Sequence, residues 1–228
     1  MSADAHLDVS TLAFDEWLRF FFDRRLLAPA ESFDEAFCGG GVLFRVAHPD
    51  RIVNCLTRMC RDFAEVGRRY SLPLLNQGIW AMFGPDFELQ QNIWNRSVAL
   101  EERLACLESM RIPYLEFVAG HPVHLMENAF EMWWHMVLAS FWSRHPSPTD
   151  YSRLDADDRA LLDRAFETLD AMLEPDDDRC QAYALHGLGH LHHPRVAARV
   201  QLFIDANISE ITPDGLLWVE QCRDGTVM

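Results

Sequence analysis

Hydrophobic positions recur along this chain at intervals of three and four rather than two, the spacing of amphipathic helices and not of half-buried strands. Thr11 to Leu27 carries Phe14, Trp17, Leu18, Phe21 and Phe22, and Asp50 to Tyr70 carries Ile52, Val53, Leu56, Met59, Cys60 and Phe63. Ser97 to Met110 opens with a serine and acidic first turns before Leu100, Leu104 and Leu107. Ala156 to Leu173 repeats the pattern with Leu161, Leu162, Phe166, Leu169 and Leu173. Between these runs stand breakers: CGGG at 38–41, FGPD at 83–86, AGHP at 119–122, SRHPSP at 143–148 and EPDDD at 174–178. The pattern predicts an all-α, compact domain of about eight to ten helices over residues 1–228. The Pro-, Ser- and Asp-rich stretch 143–158 is the candidate break between subdomains.

The stretch Cys180 to Asn207, CQAYALHGLGHLHHPRVAARVQLFIDAN, departs from a plain amphipathic pattern by holding two glycines and four histidines. At about 100° per residue, Ala184, Leu188 and Leu191 share one helical face, and His186, His190 and His193 gather on the other. A-x-x-x-L-G-x-L-x-x-P followed by an apolar helix resembles a HEAT-like repeat hairpin over residues 180–207. That resemblance implies a first helix ending near the glycine and proline turn, then a second helix stacking through Val196, Val200, Phe203 and Ile204. It spans one unit, and regularly spaced further copies are not discernible.

Composition narrows the function. Seven Trp and fifteen Phe require a true interior. All twenty basic residues are Arg, so lysine Schiff bases and P-loop lysines are excluded. A formal charge of −15 disfavours nucleic acid as a partner. No signal-peptide pattern and no apolar run of about twenty residues is present, so the sequence predicts a cytoplasmic protein without a membrane span. The six cysteines form no C-x-x-C pair and are expected to be reduced and mostly buried. Cys38, beside three glycines, is a reactive thiol if it begins a helix and a structural one otherwise.

Two histidine-bearing faces are the candidate chemistry. His186, His190 and His193 have spacings that can aim imidazole nitrogens at one point, although Gly187 stands where zinc proteases place their glutamate base. In the helix after Gly120, His124, Asn128, Glu131 and His135 fall within about 60° of one another, with Glu127 beside them. Were the two faces to converge, Glu131, His135, His186, His190 and His193 would supply a mixed nitrogen and oxygen site for zinc or iron. A thin solvent-facing edge and a histidine-rich helix end account for the same residues without metal. Leu74 to Asn95 mixes aromatics with amides, which makes Gln77, Trp80 and Trp94 candidates to line a pocket.

G-x-S-x-G, S-x-x-K and Gly-rich phosphate loops are absent. The expectation from sequence is therefore a non-catalytic helical scaffold that engages a basic protein partner through a groove, as inhibitors and immunity proteins do. The competing expectation is a metal-dependent hydrolase with its site between the 121–142 and 180–193 helices and Glu127 as base.

Overall fold

The computed structural model describes residues 6–28, 31–38, 43–119, 121, 129–145 and 151–227. Among them the apolar stripes become eleven α-helices: α1 Phe14–Phe22, α2 Phe33–Cys38, α3 Pro49–Arg61, α4 Phe63–Arg69, α5 Leu72–Phe83, α6 Leu100–Ser109, α7 Ala129–Trp142, α8 Ala156–Ala171, α9 Asp178–Leu191, α10 Val196–Asn207 and α11 Pro213–Asp224. The fold is all-α apart from a parallel pair of three-residue strands, β1 His6–Asp8 and β2 Leu43–Arg45. Strands of three residues carry too little alternation to register in sequence.

The helix starts follow local chemistry. The Asp155 carboxylate accepts from the Asp158 amide at the start of α8, and Asp177 accepts from the Arg179 and Cys180 amides at the start of α9. Thr212 caps α11, and prolines at the starts of α3, α5 and α11 occupy positions whose missing N–H costs no intrahelical bond. The run from Asp50 to Tyr70 reads as one helix but breaks at Asp62, whose carbonyl accepts from the Glu65 and Val66 amides. The break seats Phe63 against Phe117, Phe130 and Trp133 with ring centroids 5.4–6.2 Å apart. Tertiary aromatic packing here overrides a continuous helical period.

α7 is the central helix. Phe130, Trp133, Trp134, Met136, Val137, Leu138 and Phe141 are all buried, so it is apolar nearly all round and packs against α5 and α9. Truncating a fully buried tryptophan such as Trp134 costs about 3–5 kcal/mol. α8 begins at the end of the 143–158 stretch and packs on both α6 and α9, and its residues Leu161, Leu162, Ala165 and Leu169 join the same apolar cluster as α7.

α9 packs beside α7 in the same chain direction: His186 meets Glu131 and, four residues on, His190 meets His135. Two glycines make the fit possible. A Cβ on Gly187 would stand 2.6 Å from Leu169 Cδ2 and 3.0 Å from Trp134 Cβ. One on Gly189 would stand 2.4 Å from Val227 Cγ1 and 3.1 Å from the Cys222 backbone. Bare backbone at these two positions lets α9 sit close to α7 and α8 on one side and α11 on the other. The helix ends at Leu191 with His192 in the left-handed region at φ 50°, and α10 leaves with Val196, Val200, Phe203 and Ile204 buried.

Candidate metal centre

The imidazoles of His135, His186 and His190 meet where α7 and α9 touch. His190 Nε2 lies 3.0 Å from His135 Nδ1 and 3.0 Å from His186 Nε2, and the three donor atoms all fall within 4.8 Å of one another. His186 and His190 are one turn apart on α9, so a single helix presents two of the nitrogens and the parallel neighbour supplies the third.

Proton accounting shows what the cluster lacks. His186 Nδ1 faces the Glu131 carbonyl at 3.2 Å, and a carbonyl only accepts, so Nδ1 carries the proton and Nε2 presents a lone pair. His190 Nε2 then has two nitrogen neighbours. A proton on it can point squarely at only one of them, and without that proton two lone pairs face each other at 3.0 Å. A metal cation satisfies all three lone pairs at once. Tetrahedral zinc, with Zn–N of about 2.0–2.1 Å, asks for nitrogens about 3.3 Å apart. The two separations at His190 are close to that value, and with all three atoms within 4.8 Å of one another the His135 and His186 rings would close towards each other on binding.

The electrostatics agree with ligand duty. Burial, then the neighbouring His135, His186 and His192, pushes the His190 imidazole down to about 4. Burial and His186 likewise hold His135 below the ordinary histidine range. Both are neutral at pH 7, the form in which imidazole binds metals. The surroundings orient them further: the Glu131 carbonyl fixes the His186 tautomer, and the indole N–H of Trp142 donates to the His190 carbonyl at 3.2 Å. His186 is buried, and His135 and His190 are half-buried.

Of the sequence-predicted ligands, His193 and the Glu131 carboxylate lie elsewhere. Because α9 stops at Leu191, His193 swings towards α8, where Nε2 donates to Asp163 Oδ1 at 2.8 Å and Nδ1 accepts from the Arg195 amide at 3.2 Å. Tyr151 donates to the same carboxylate oxygen at 2.8 Å, and the Tyr151 and Phe166 rings enclose the imidazole. His193 is a structural latch between α8 and the start of α10. Glu131 contributes its carbonyl to His186, while its exposed side chain borders a cleft of about 360 Å³ with Asp178, Arg179, Ala182, Tyr183 and Trp218. His124, Glu127 and Asn128 lie outside the described residues.

Gln77, Trp80 and Trp94 have these places in the structure. Gln77 holds the chain after α1, accepting from the Leu27 amide at 2.8 Å and donating to the Arg25 carbonyl at 3.1 Å. Trp94 is buried and donates to Ser140 Oγ at 2.7 Å, and Trp80 is half-buried on α5. A cleft of about 460 Å³ does form nearby, from Phe87, Gln91 and Asn92 of the same segment together with Arg144. Cys38 ends α2 instead of beginning a helix, so it lacks the helix N-terminus that would activate its thiol. The six cysteines are free thiols, and burial raises Cys106, Cys180 and Cys222 to about 12.

Sequence reasoning missed the cleft residues Arg179, Tyr183 and Trp218 and the Trp142 contact. A helical signal for part of the cleft exists, since Ala182 and Glu131 stand one turn before His186 and His135. No family model, curated protein or solved structure matches the chain. No helix among the described residues is long and apolar enough to cross a membrane.

Proposed function

We propose that this protein is a metal-dependent hydrolase whose metal, zinc on the donor chemistry, is held by His135, His186 and His190. The observation that carries this reading is the meeting of three imidazole nitrogens from two helices around His190 Nε2, His186 Nε2 and His135 Nδ1 each 3.0 Å from it. Three protein ligands, with the fourth position left to water or substrate, is the ligand count of catalytic rather than structural zinc sites. A metal so bound lowers the pKa of a coordinated water towards about 7 and polarises a carbonyl or phosphoryl oxygen. The six free thiols fit a reducing compartment, and we place the protein in the cytoplasm on that ground.

Elemental analysis of protein purified without a histidine tag tests the proposal. One zinc per chain is expected, with loss of the metal in His186→Ala and His190→Ala. Metal-free wild-type protein that also takes up no zinc in a titration would remove the reading.

A second reading, a scaffold that binds a protein partner, rests on α10 and α11. Leu202, Ile208 and Leu217 are 64%, 54% and 61% exposed there, on a chain of charge −15 that favours a basic partner. A partner that stays with the wild type and leaves a Leu202→Glu/Leu217→Glu variant of unchanged zinc content supports it; equal retention by both proteins removes it.

A further inference from the structure

The cleft bordered by Glu131 lies one helical turn from the histidine trio along both helices. Glu131 precedes His135 by four residues and Ala182 precedes His186 by four, about 6 Å along each axis. Glu131 joins the two places, its carbonyl holding His186 and its carboxylate bordering the cleft.

The lining has a definite charge preference. The one cation among its described residues, Arg179, is engaged by Asp177 at 2.9 Å and by the His121 carbonyl at 3.0 Å. The first amides of α9, which would otherwise attract an anion, are capped by the Asp177 carboxylate. The charges left over are the carboxylates of Glu131 and Asp178, set beside the aromatic rings of Tyr183 and Trp218. Burial and the Glu131 charge hold the Tyr183 hydroxyl above its usual range, so that ring stays neutral. Carboxylates beside aromatic rings suit an ammonium or guanidinium group, through charge-assisted hydrogen bonds and cation–π attraction.

We infer that this cleft binds the cationic side chain or amine of a ligand, so that a lysine- or arginine-type substrate lies with its remainder towards His135, His186 and His190. What then happens to the ligand rests on the metal-centre reading; its recognition rests on the cleft alone.

Isothermal titration with Nα-acetyl-lysine methylamide and its uncharged counterpart Nα-acetyl-norleucine methylamide tests this, with zinc content measured on every sample. The lysine probe is expected to bind about tenfold more tightly than the norleucine probe, the scale of one desolvated cation–π contact with a carboxylate. Glu131→Gln and Trp218→Ala should each remove most of that preference while zinc content stays at the wild-type level, because Gln keeps the backbone carbonyl that orients His186. His186→Ala should lose zinc and keep the preference. Equal affinity for the two probes, a preference unchanged in both cleft variants, or no binding of the lysine probe up to about 10 mM overturns the inference. Wild-type protein that holds no zinc yet prefers lysine removes the metal centre and leaves the cleft; zinc-loaded protein without the preference does the reverse.

Discussion

Two histidine sites lie at and just past the end of α9, and they differ in how their nitrogens are satisfied. At His193 both ring nitrogens have protein partners, an amide on one side and the Asp163 carboxylate on the other. At His135, His186 and His190 the nitrogens have chiefly one another. Only Leu191 and His192 separate His190 from His193, and the left-handed turn at His192 sends them to different helices. The comparison teaches that histidine spacing alone does not select ligands. What sets the trio apart as candidate ligands is that its nitrogens face one another instead of a carboxylate or an amide.

The sharpest way to break the comparison is to delete one histidine from each cluster. His190→Ala should abolish stoichiometric zinc, measured by elemental analysis, and with it the stabilisation that saturating zinc gives. That stabilisation is about 2.7 kcal/mol at a hundredfold excess over Kd, read from the midpoint of denaturant unfolding with and without chelator. His193→Ala should leave zinc content unchanged and lower stability by about 1–3 kcal/mol, because it opens a buried site and strips Asp163 of a partner. Zinc loss in His193→Ala with retention in His190→Ala would reverse the assignment.

Gly187→Ala perturbs the packing that brings the trio together. The new methyl meets Leu169 and Trp134, and a cost of about 1–3 kcal/mol is expected from unfolding curves, together with weaker zinc binding in a competition titration. Unchanged stability and affinity would show that α9 need not lie so close to α7.

The smallest expected effect concerns pH. Burial holds His193 below its usual pKa despite the opposing bond to Asp163. The unfolded chain therefore binds the extra proton first as pH falls below about 6.5, and stability declines from there towards the lowered folded value. His193→Asn should make that decline shallower in metal-free protein. A decline of equal steepness in both proteins would place the proton uptake on other groups.

Much of this architecture was legible in the residues. The stripes at 156–173 and 97–110 are α8 and α6 within a few residues, because leucine spacing marks both and Asp155 caps α8, whereas α6 starts at Ala99 without a side-chain cap. His186 and His190 were visible as a pair because a helix forces residues four apart together. The convergence with His135 was not, since it depends on α7 and α9 running parallel at close range, and that is set by Gly187 against Trp134 and Leu169. The fate of His193 was hidden for a different reason: an αL residue ends the helix at His192, where neither Gly nor Asn announces it. Glu131 shows the limit most plainly, for it reaches His186 through its carbonyl, a group every residue possesses.

Zinc K-edge X-ray absorption on tag-free protein loaded with one equivalent of zinc tests the central claim most directly. The trio predicts three imidazole nitrogens at about 2.0–2.1 Å with one lighter oxygen ligand, unchanged in His193→Ala. Sulfur at about 2.3 Å, from any of the six cysteines, or a protein that retains no zinc at all, would contradict it.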